Sequence, residues 1–239
     1  MRVIALVNEK GGVGKSTISF HLAYFLAERK KKTVAIDMDP QAHLSLTFNL
    51  NEPRTHLIFK ETKIDPIPVN EYLSVVSSVR TLVEVDRSTA LKHTTKLRKS
   101  LETVQGEYDF AVIDTPPGLD VFTLNALFAA HGVLIPVHPG LYSFKGLMDV
   151  LDDIKWVKED YNPTIEIAGV VVNFSERTLA ALEMRGAIEE KYKDMVIAQI
   201  PKTVRIEEAI RRGIPVWQHA PDNPASDAFR ELGEKILKW

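Results

Sequence analysis

Residues 10 to 17 have the composition and spacing of a phosphate-binding loop. They read Lys-Gly-Gly-Val-Gly-Lys-Ser-Thr and stand between an apolar run, Val3 to Val7, and a segment with helical spacing. Glycines here let backbone N–H groups turn towards phosphate oxygens, and the start of the helix adds its positive dipole end. The segment predicts a nucleotide-phosphate site, with binding residues Gly11, Gly12, Val13, Gly14, Lys15, Ser16 and Thr17.

The side chains of this loop are expected to have separate roles. Lys15 would contact the β- and γ-phosphates, and Ser16, which directly follows it, would give its hydroxyl to Mg²⁺. Thr17 would add a hydrogen bond to the α-phosphate. ATP or ADP with Mg²⁺ is therefore the expected cofactor, and a glycine-rich turn without a ligand is the alternative interpretation.

Three aspartates stand where apolar runs end. Asp37 and Asp39 follow the run 33–36 two residues apart, so an extended strand end presents them on the same side, near the edge where ligands bind in such folds. Asp114 ends the run 110–113 and precedes Thr-Pro-Pro-Gly, which is typical of a Walker B strand and its switch loop. Asp114 would hold Mg²⁺ through water. The alternative for the first pair is that they cap the next helix.

Short β-branched runs alternate with segments of helical spacing along the chain, which predicts a doubly wound α/β fold with a mostly parallel sheet and helices on both faces. The predicted strands are 3–7, 33–36, 73–76, 110–113, 133–137, 165–172 and 196–200. The predicted helices are 17–29, 88–104, 121–130, 144–159, 178–192 and 225–238. Segment 47–68 lacks a clear period and is expected to be a variable surface segment. We expect one domain over residues 1–239.

The composition excludes several classes of function. The chain has no cysteine, which removes disulfides, thiolate zinc sites and iron–sulfur clusters. The formal net charge is −2, so any contact with DNA must come from a local patch. No window approaches the roughly 18 to 20 apolar residues that span a bilayer, which indicates a cytoplasmic protein.

The loop 10–17 resembles the deviant Walker A motif of the ParA/MinD group of ATPases, and residues 37–41 resemble the DxDPQ segment of that group. The resemblance covers most of the chain, with 47–68 its weak part. It implies a P-loop NTPase fold and an ATP-sandwich homodimer in which Lys10 reaches the partner subunit's nucleotide. It further implies that Asp39 orients the attacking water and that Asp37 supports the Mg²⁺ shell.

The same resemblance implies a base pocket and partners. Asn173 would hydrogen-bond the adenine, and Pro201 with the backbone near it would form the rest of the pocket. The expected function is a weak ATPase that a ParB-like or adaptor protein stimulates, that binds nonspecific DNA and associates with the nucleoid. It would segregate a plasmid or chromosome, or position a protein cargo such as a carboxysome or chemoreceptor cluster.

Two basic stretches are candidates for DNA contacts. The first stretch has four basic residues against the two acids Glu207 and Glu208, a net charge of +2, and a dimer would present it twice to DNA. The second is a stripe at helical spacing with no acid between residues 91 and 100. A charged helix face is usually only solvated, and we favour the first stretch. The first stretch comprises Lys202, Arg205, Arg211 and Arg212, and the second Lys92, Lys96 and Lys99.

Rival functions have less support in the sequence. MinD proteins end in a basic amphipathic membrane helix, whereas the charges of residues 225–239 sum to zero, so we expect no membrane binding. The nitrogenase iron protein and iron–sulfur carriers share this ATPase core but need cysteines. A non-hydrolysing nucleotide-binding interaction module remains an alternative. Because the sequence opens on the first strand, operator-specific autoregulation is not expected.

Overall fold

The computed structural model describes residues 1–78, 93–139, 143–175, 179–192 and 195–239. These residues form eight strands and ten helices. The strands are β1 (Arg2–Leu6), β2 (Thr33–Asp37), β3 (Ile67–Asn70), β4 (Leu73–Val76), β5 (Phe110–Asp114), β6 (Gly132–Val137), β7 (Glu166–Ser175) and β8 (Val196–Pro201). The helices are α1 (Lys15–Glu28), α2 (His43–Thr47), α3 (Thr55–Glu61), α4 (Lys96–Thr103), α5 (Val121–Ala129), α6 (Ser143–Asp160), α7 (Leu179–Tyr192), α8 (Val204–Arg211), α9 (Val216–His219) and α10 (Pro224–Lys238).

All eight strands belong to one sheet, in the order β3-β4-β2-β5-β1-β6-β7-β8. Every neighbouring pair is parallel except β3 and β4, which confirms the predicted doubly wound fold. The register pairs Asp114 at the end of β5 with Leu6 on one side and with Asp37 on the other. The carboxyl ends of the three central strands therefore meet at one edge, as the ligand-binding edge of such a sheet requires.

Both faces of the sheet are buried. Along β1 and just beyond it, Val3, Ala5 and Val7 belong to the core layer under α4, α5 and α6, whereas Ile4 and Leu6 belong to the layer under α1 and α10. A strand buried on both faces needs apolar side chains at every position. This requirement explains why the central strands appear in the sequence as uninterrupted apolar runs.

The expectation of a variable surface segment over residues 47–68 is wrong. Helix α3 lies within that segment and buries Ile58 and Phe59 in the core. The antiparallel strand β3 begins at its end, at an edge of the sheet where Pro68 is tolerated. Helix α3 has seven residues, about two turns, which is too few to show a period in the sequence.

Parts of two predicted helices fall outside the described residues. The predicted helix 88–104 is seen as α4, and its residues 88–92, including Lys92, lie outside the described residues. The same holds for Thr178, the first residue of the helix seen as α7.

The last helix, α10, packs on the sheet as predicted. Phe229, Leu232 and Ile236 are buried in the core layer that also contains α1. Lys235 Nζ donates to the carbonyl of Ile197 at 2.6 Å. The apolar side of this helix is thus covered by the sheet and by α1.

A fully buried histidine connects α1 to the C-terminal part of the chain. Nε2 of His21 accepts from the backbone N–H of Val216 at 3.1 Å, so the proton is on Nδ1, which donates to the carbonyl of Thr17 at 2.7 Å. The ring stacks on Phe229 at 4.0 Å. Burial lowers the pKa of His21 to about 4, because the charged imidazolium would lose its hydration.

This buried ring predicts acid sensitivity. Unfolded His21 takes up a proton near pH 6.5, whereas the folded form resists protonation down to about pH 4. Neutral, buried His21 therefore adds about 3 kcal/mol to the free energy of unfolding above pH 6.5. This contribution is lost as the pH falls from 6.5 to about 4. Urea unfolding at pH 7 and pH 4.5 should show a smaller pH-dependent loss for His21→Gln than for the wild type. His43→Gln, at an exposed position, is the control, and an equal loss in both variants would refute the assignment.

Candidate functional site

The predicted phosphate-binding loop lies between β1 and α1. Gly12 and Gly14 have φ angles of 75° and 93°, a left-handed region that glycine enters without strain. Gly14 is the N-cap of α1, and no side chain caps the helix there. The first N–H groups of α1 are therefore available to a ligand, and the dipole favours an anion at that point.

Beside this loop is a cleft of about 360 Å³, in the range of small-ligand sites. The glycines and the Lys-Ser-Thr end of the loop form one wall, and the segments after β2 and β5 and the end of β7 form the others. The lining residues are Gly11, Gly12, Gly14, Lys15, Ser16, Thr17, Asp39, Gln41, His43, Pro117 and Phe174.

Lys15 is a buried cation beneath the loop. Its Nζ donates to the carbonyls of Asn8 at 2.9 Å and of Lys10 at 3.1 Å. Burial lowers the pKa of the Lys15 ammonium, and the nearby carboxylates of Asp114 and Asp39 oppose that shift. The ammonium therefore shapes the loop and carries positive charge to the cleft.

Asp114 supplies an unpaired buried oxygen at this edge. Its Oδ1 accepts from the Ser19 hydroxyl at 3.3 Å, the Ser16 hydroxyl also donates to the carboxylate, and its Oδ2 has no hydrogen-bond partner among the described residues. Burial, and then the charge of Asp37, raises the pKa of Asp114 well above its ordinary value. A hard cation such as Mg²⁺ binds carboxylate and hydroxyl oxygens, so the donor set at Asp114 and Ser16 fits it.

Asp37 holds the loop that follows β2. Its Oδ1 accepts from the N–H of Asp39 at 3.0 Å, and its Oδ2 accepts from the N–H of Ser45 at 2.8 Å and from the Ser45 hydroxyl at 2.6 Å. Burial raises the pKa of Asp37 to about 7, against these hydrogen bonds. Asp37 therefore caps the first turn of α2, which is the alternative role considered for it in the sequence analysis. Its support of the Mg²⁺ shell stays a prediction. Sequence reasoning missed Ser45, which lies eight residues further along the chain.

Asp39 faces the cleft. It is 6% exposed, and its Oδ1 accepts from the N–H of Gln41 at 2.8 Å. This local bond is that of an Asx turn, which fixes the carboxylate direction. Asp39 and Lys15 line the same cleft, as the proposed chemistry requires.

Two asparagines fasten the phosphate loop to the sheet. Asn8, which is not among the residues predicted from the sequence, donates to the carbonyl of Pro136 at 2.6 Å and accepts from the N–H of Lys10. Asn173 donates to the carbonyl of Val13 at 2.8 Å, and its buried Oδ1 has no hydrogen-bond partner among the described residues. For Asn8, the signal available in the sequence was an asparagine between the apolar run 3–7 and the glycine-rich loop.

Lys10 and Pro201 occupy different surroundings. The Lys10 side chain packs against α6, since a Cβ added at Gly146 would lie 3.1 Å from Lys10 Cε. Lys10 is not among the residues that line the cleft. Pro201 is the last residue of β8 and pairs with Ser175. The residue before it, Ile200, pairs with Asn173. The base-pocket roles of Asn173 and Pro201 stay predictions.

The first basic stretch folds as α8 and its flanks, where one acid and one histidine engage two of its arginines. Arg205 pairs with Glu208 at 2.8 Å, and His219 Nε2 donates to the same carboxylate at 2.9 Å. Arg212 donates to His219 Nδ1 at 3.2 Å. Arg211 is exposed, and no salt bridge of its side chain is found in the described parts of the chain.

The second basic stripe exposes less positive charge in the described residues than its sequence predicts. Lys96 donates to the Thr62 hydroxyl at 3.0 Å, Lys99 is exposed, and Lys92 lies outside the described residues. The described part of the stripe therefore amounts to one exposed lysine and one partly buried lysine.

Comparisons with known proteins agree with this geometry. A family model described as an AAA domain matches residues 1–167. The chromosome-partitioning ATPase Soj of Thermus thermophilus is 33% identical over 241 residues, covering 99% of this chain and 96% of Soj. The solved structure of the septum site-determining protein MinD with Mg-ADP from Pyrococcus horikoshii has a TM-score of 0.82 at 25% identity, over 99% of this chain and 96% of that one. Apo McdA of Cyanothece has a TM-score of 0.89 at 20% identity, over 99% of both chains, a likeness of fold.

The contact between Gly14 and Asn173 gives a test of the loop. A Cβ at Gly14 would lie 2.0 Å from Asn173 Nδ2, and φ is left-handed there. Gly14→Ala should therefore lower the free energy of unfolding by about 2 kcal/mol. It should also weaken ADP binding in calorimetry by roughly tenfold or more. Gly186→Ala, at an exposed position of α7, is the matched control, because its Cβ would meet nothing within 4 Å and the residue does not line the cleft. Equal ADP affinities for the two variants would show that the loop geometry does not form the site.

Proposed function

The chain belongs to the ParA/MinD family of ATPases, and on this premise we propose that it is a ParA-type partition or positioning ATPase. In this proposal it binds Mg-ATP, dimerises around the nucleotide and binds nonspecific DNA. A partner protein then stimulates hydrolysis to ADP and phosphate. The observation that carries the proposal is a glycine-rich anion site whose cleft residue Ser16 hydrogen-bonds the Asp114 carboxylate, which has an unpaired buried oxygen at the same edge of the sheet.

In this proposal, residues of the cleft and Asp114 at the sheet edge beside it each have a separate role in phosphoryl transfer. Ser16 and Asp114 would hold Mg²⁺, which when bound neutralises charge on the phosphates. Lys15 would bind the β- and γ-phosphates from beneath the loop. Asp39, whose carboxylate is fixed by the N–H of Gln41, would orient the attacking water. Such chemistry needs positioning and charge rather than a strong acid or base.

The place of Lys10 supports a role for a second subunit. Its side chain lies against Gly146 of α6, and Lys10 is absent from the lining of its own cleft. A cation that reaches the phosphates only when two subunits meet would couple dimer formation to stabilisation of the transition state. We infer that Lys10 completes the partner subunit's site.

Nonspecific DNA is the proposed surface on which the dimer acts. The stretch from Lys202 to Arg212 carries two excess positive charges, and Arg211 extends from α8 into solvent. A dimer would present two such stretches to a phosphate backbone. The name of the Thermus relative, a chromosome-partitioning ATPase, favours this assignment and a nucleoid location.

The membrane-bound alternative has less support. Phe229, Leu232 and Ile236 of α10 are buried, so the helix has no apolar face left for an interface. Among the described residues, no helix has the length and apolar composition to cross a bilayer. The cargo stays open between a plasmid, a chromosome and a protein assembly, with a ParB-like or adaptor protein as the stimulating partner.

Replacing Lys10 separates dimerisation from nucleotide binding. Lys10→Ala should weaken ATP-dependent dimerisation, measured by light scattering, by roughly tenfold or more, since a charge-assisted contact across subunits is lost. Its affinity for ADP should change less than about threefold. Lys158→Ala, on the exposed end of α6, should leave both unchanged. Equal losses in dimerisation and ADP binding would contradict the cross-subunit role.

Blocking hydrolysis tests the DNA proposal. Asp39→Ala should retain ATP and hold the dimer, because the attacking water is no longer oriented. It should bind a nonspecific DNA duplex with ATP, but neither with ADP nor without nucleotide. Its affinity for DNA should fall steeply between about 50 and about 200 mM salt, as expected for about six or more phosphate contacts. Normal hydrolysis by this variant would refute the role of Asp39.

The Asp39→Ala background also tests the surface. Adding Arg211→Ala removes about one phosphate contact per subunit, so the slope of log affinity against log salt should fall by roughly 2 per dimer. Adding Arg230→Ala, on α10 and paired with Asp227, should leave that slope unchanged. Absence of DNA binding in every nucleotide state would favour the membrane or protein-surface alternatives, which liposome sedimentation would separate.

A further inference from the structure

Phe174 has an unusual backbone for its residue type. Its φ is +55°, in the left-handed region that aromatic residues seldom occupy. The pairing of β7 with β8 shifts at this point, because Asn173 pairs with Ile200 and Ser175 with the next residue, Pro201. Phe174 is therefore an extra residue in β7, a β-bulge. Bulges recur beside functional sites, where they redirect a side chain.

The bulge reverses the direction in which Phe174 would otherwise point. In β7 the residues Val170 and Val172 lie in one core layer and Val171 in the other, the layer of α1. Regular alternation would place residue 174 on the side of Val172. Its ring instead lines the cleft, with Cε2 3.7 Å from where a Cβ of Gly14 would lie.

The ring lies near the Asn173 amide, since both come within 4 Å of the position of a Cβ at Gly14. The amide donates to Val13, which leaves its buried Oδ1 an acceptor without a hydrogen-bond partner among the described residues. His138 meets the Phe174 ring edge-on, with centroids 5.6 Å apart and planes at 84°, and so supports it. A flat apolar face next to a single acceptor suits an aromatic heterocycle with an exocyclic amine.

We propose that Phe174 is the stacking platform for the purine base of the bound nucleotide and so determines its affinity. The proposal rests on the proposed nucleotide-binding function and adds a residue to it. A left-handed backbone at a bulky residue carries strain, which persists where the surrounding structure holds it in place and which recurs at ligand sites. Stacking on an aromatic side chain holds a base in a single plane.

The test compares ligands with and without a base. Phe174→Asn removes the ring while asparagine adopts the left-handed backbone readily, so the variant should unfold at the wild-type temperature or above. We expect its dissociation constant for Mg-ADP, measured by calorimetry, to rise roughly tenfold. The dissociation constant for magnesium tripolyphosphate should stay within about twofold, since the phosphate loop is untouched. Phe174→Tyr, which keeps the ring, should bind Mg-ADP like the wild type.

The outcomes separate this inference from the proposed function. Wild-type affinity of Phe174→Asn for Mg-ADP would overturn the platform and leave the ATPase proposal standing. Equal weakening for Mg-ADP and tripolyphosphate would also overturn it, because Phe174 would then support the loop rather than a base. A wild-type protein that binds neither ligand would overturn the nucleotide-binding proposal itself.

Discussion

The site depends on carboxylates buried together at one edge of the sheet. Asp37 and Asp114 are fully buried and directly opposed in register. Burial raises the pKa of both carboxyl groups, and the charge of Asp37 raises the pKa of Asp114 further. Burying such charges costs stability unless they are neutralised or hydrogen-bonded. Ser16, Ser19 and Ser45 offset part of that cost by hydrogen bonds, and a cation bound as proposed would offset more of it.

The parallel register and a few polar contacts convert this edge into a shaped site. Asn8 ties the start of the phosphate loop to β6, and Asn173 ties its end to β7. Thr115 donates to the carbonyl of Leu6 at 2.6 Å and so fixes the segment after β5 against β1. Contacts with β1, β6 and β7 therefore hold the phosphate loop and the segment after β5 in place.

Most of the architecture could be predicted from the sequence, because the central strands are buried on both faces and the phosphate loop has its own spacing. The region 47–68 could not, since α3 is short and owes its place to the burial of Ile58 and Phe59. The hydrogen bonds of Asp37 with Ser45 and the bulge at Phe174 also escaped prediction. Each arises from the packing of segments against one another, which periodicity within one segment does not record.

The bond between Asn173 and Val13 limits how this nucleotide pocket can change. The amide is held with its N–H₂ towards the loop carbonyl, so its other polar atom is an acceptor, which in the proposed base pocket would meet the amine of adenine. A pocket for guanine would need a donor at that atom for the base oxygen. Turning the amide over would set its oxygen against the Val13 carbonyl, and an aspartate would do the same with a full charge. If Asn173 contacts the base as proposed, a guanine-selective form of this protein would require redesign of the phosphate loop together with residue 173, two regions that are 160 residues apart in the chain.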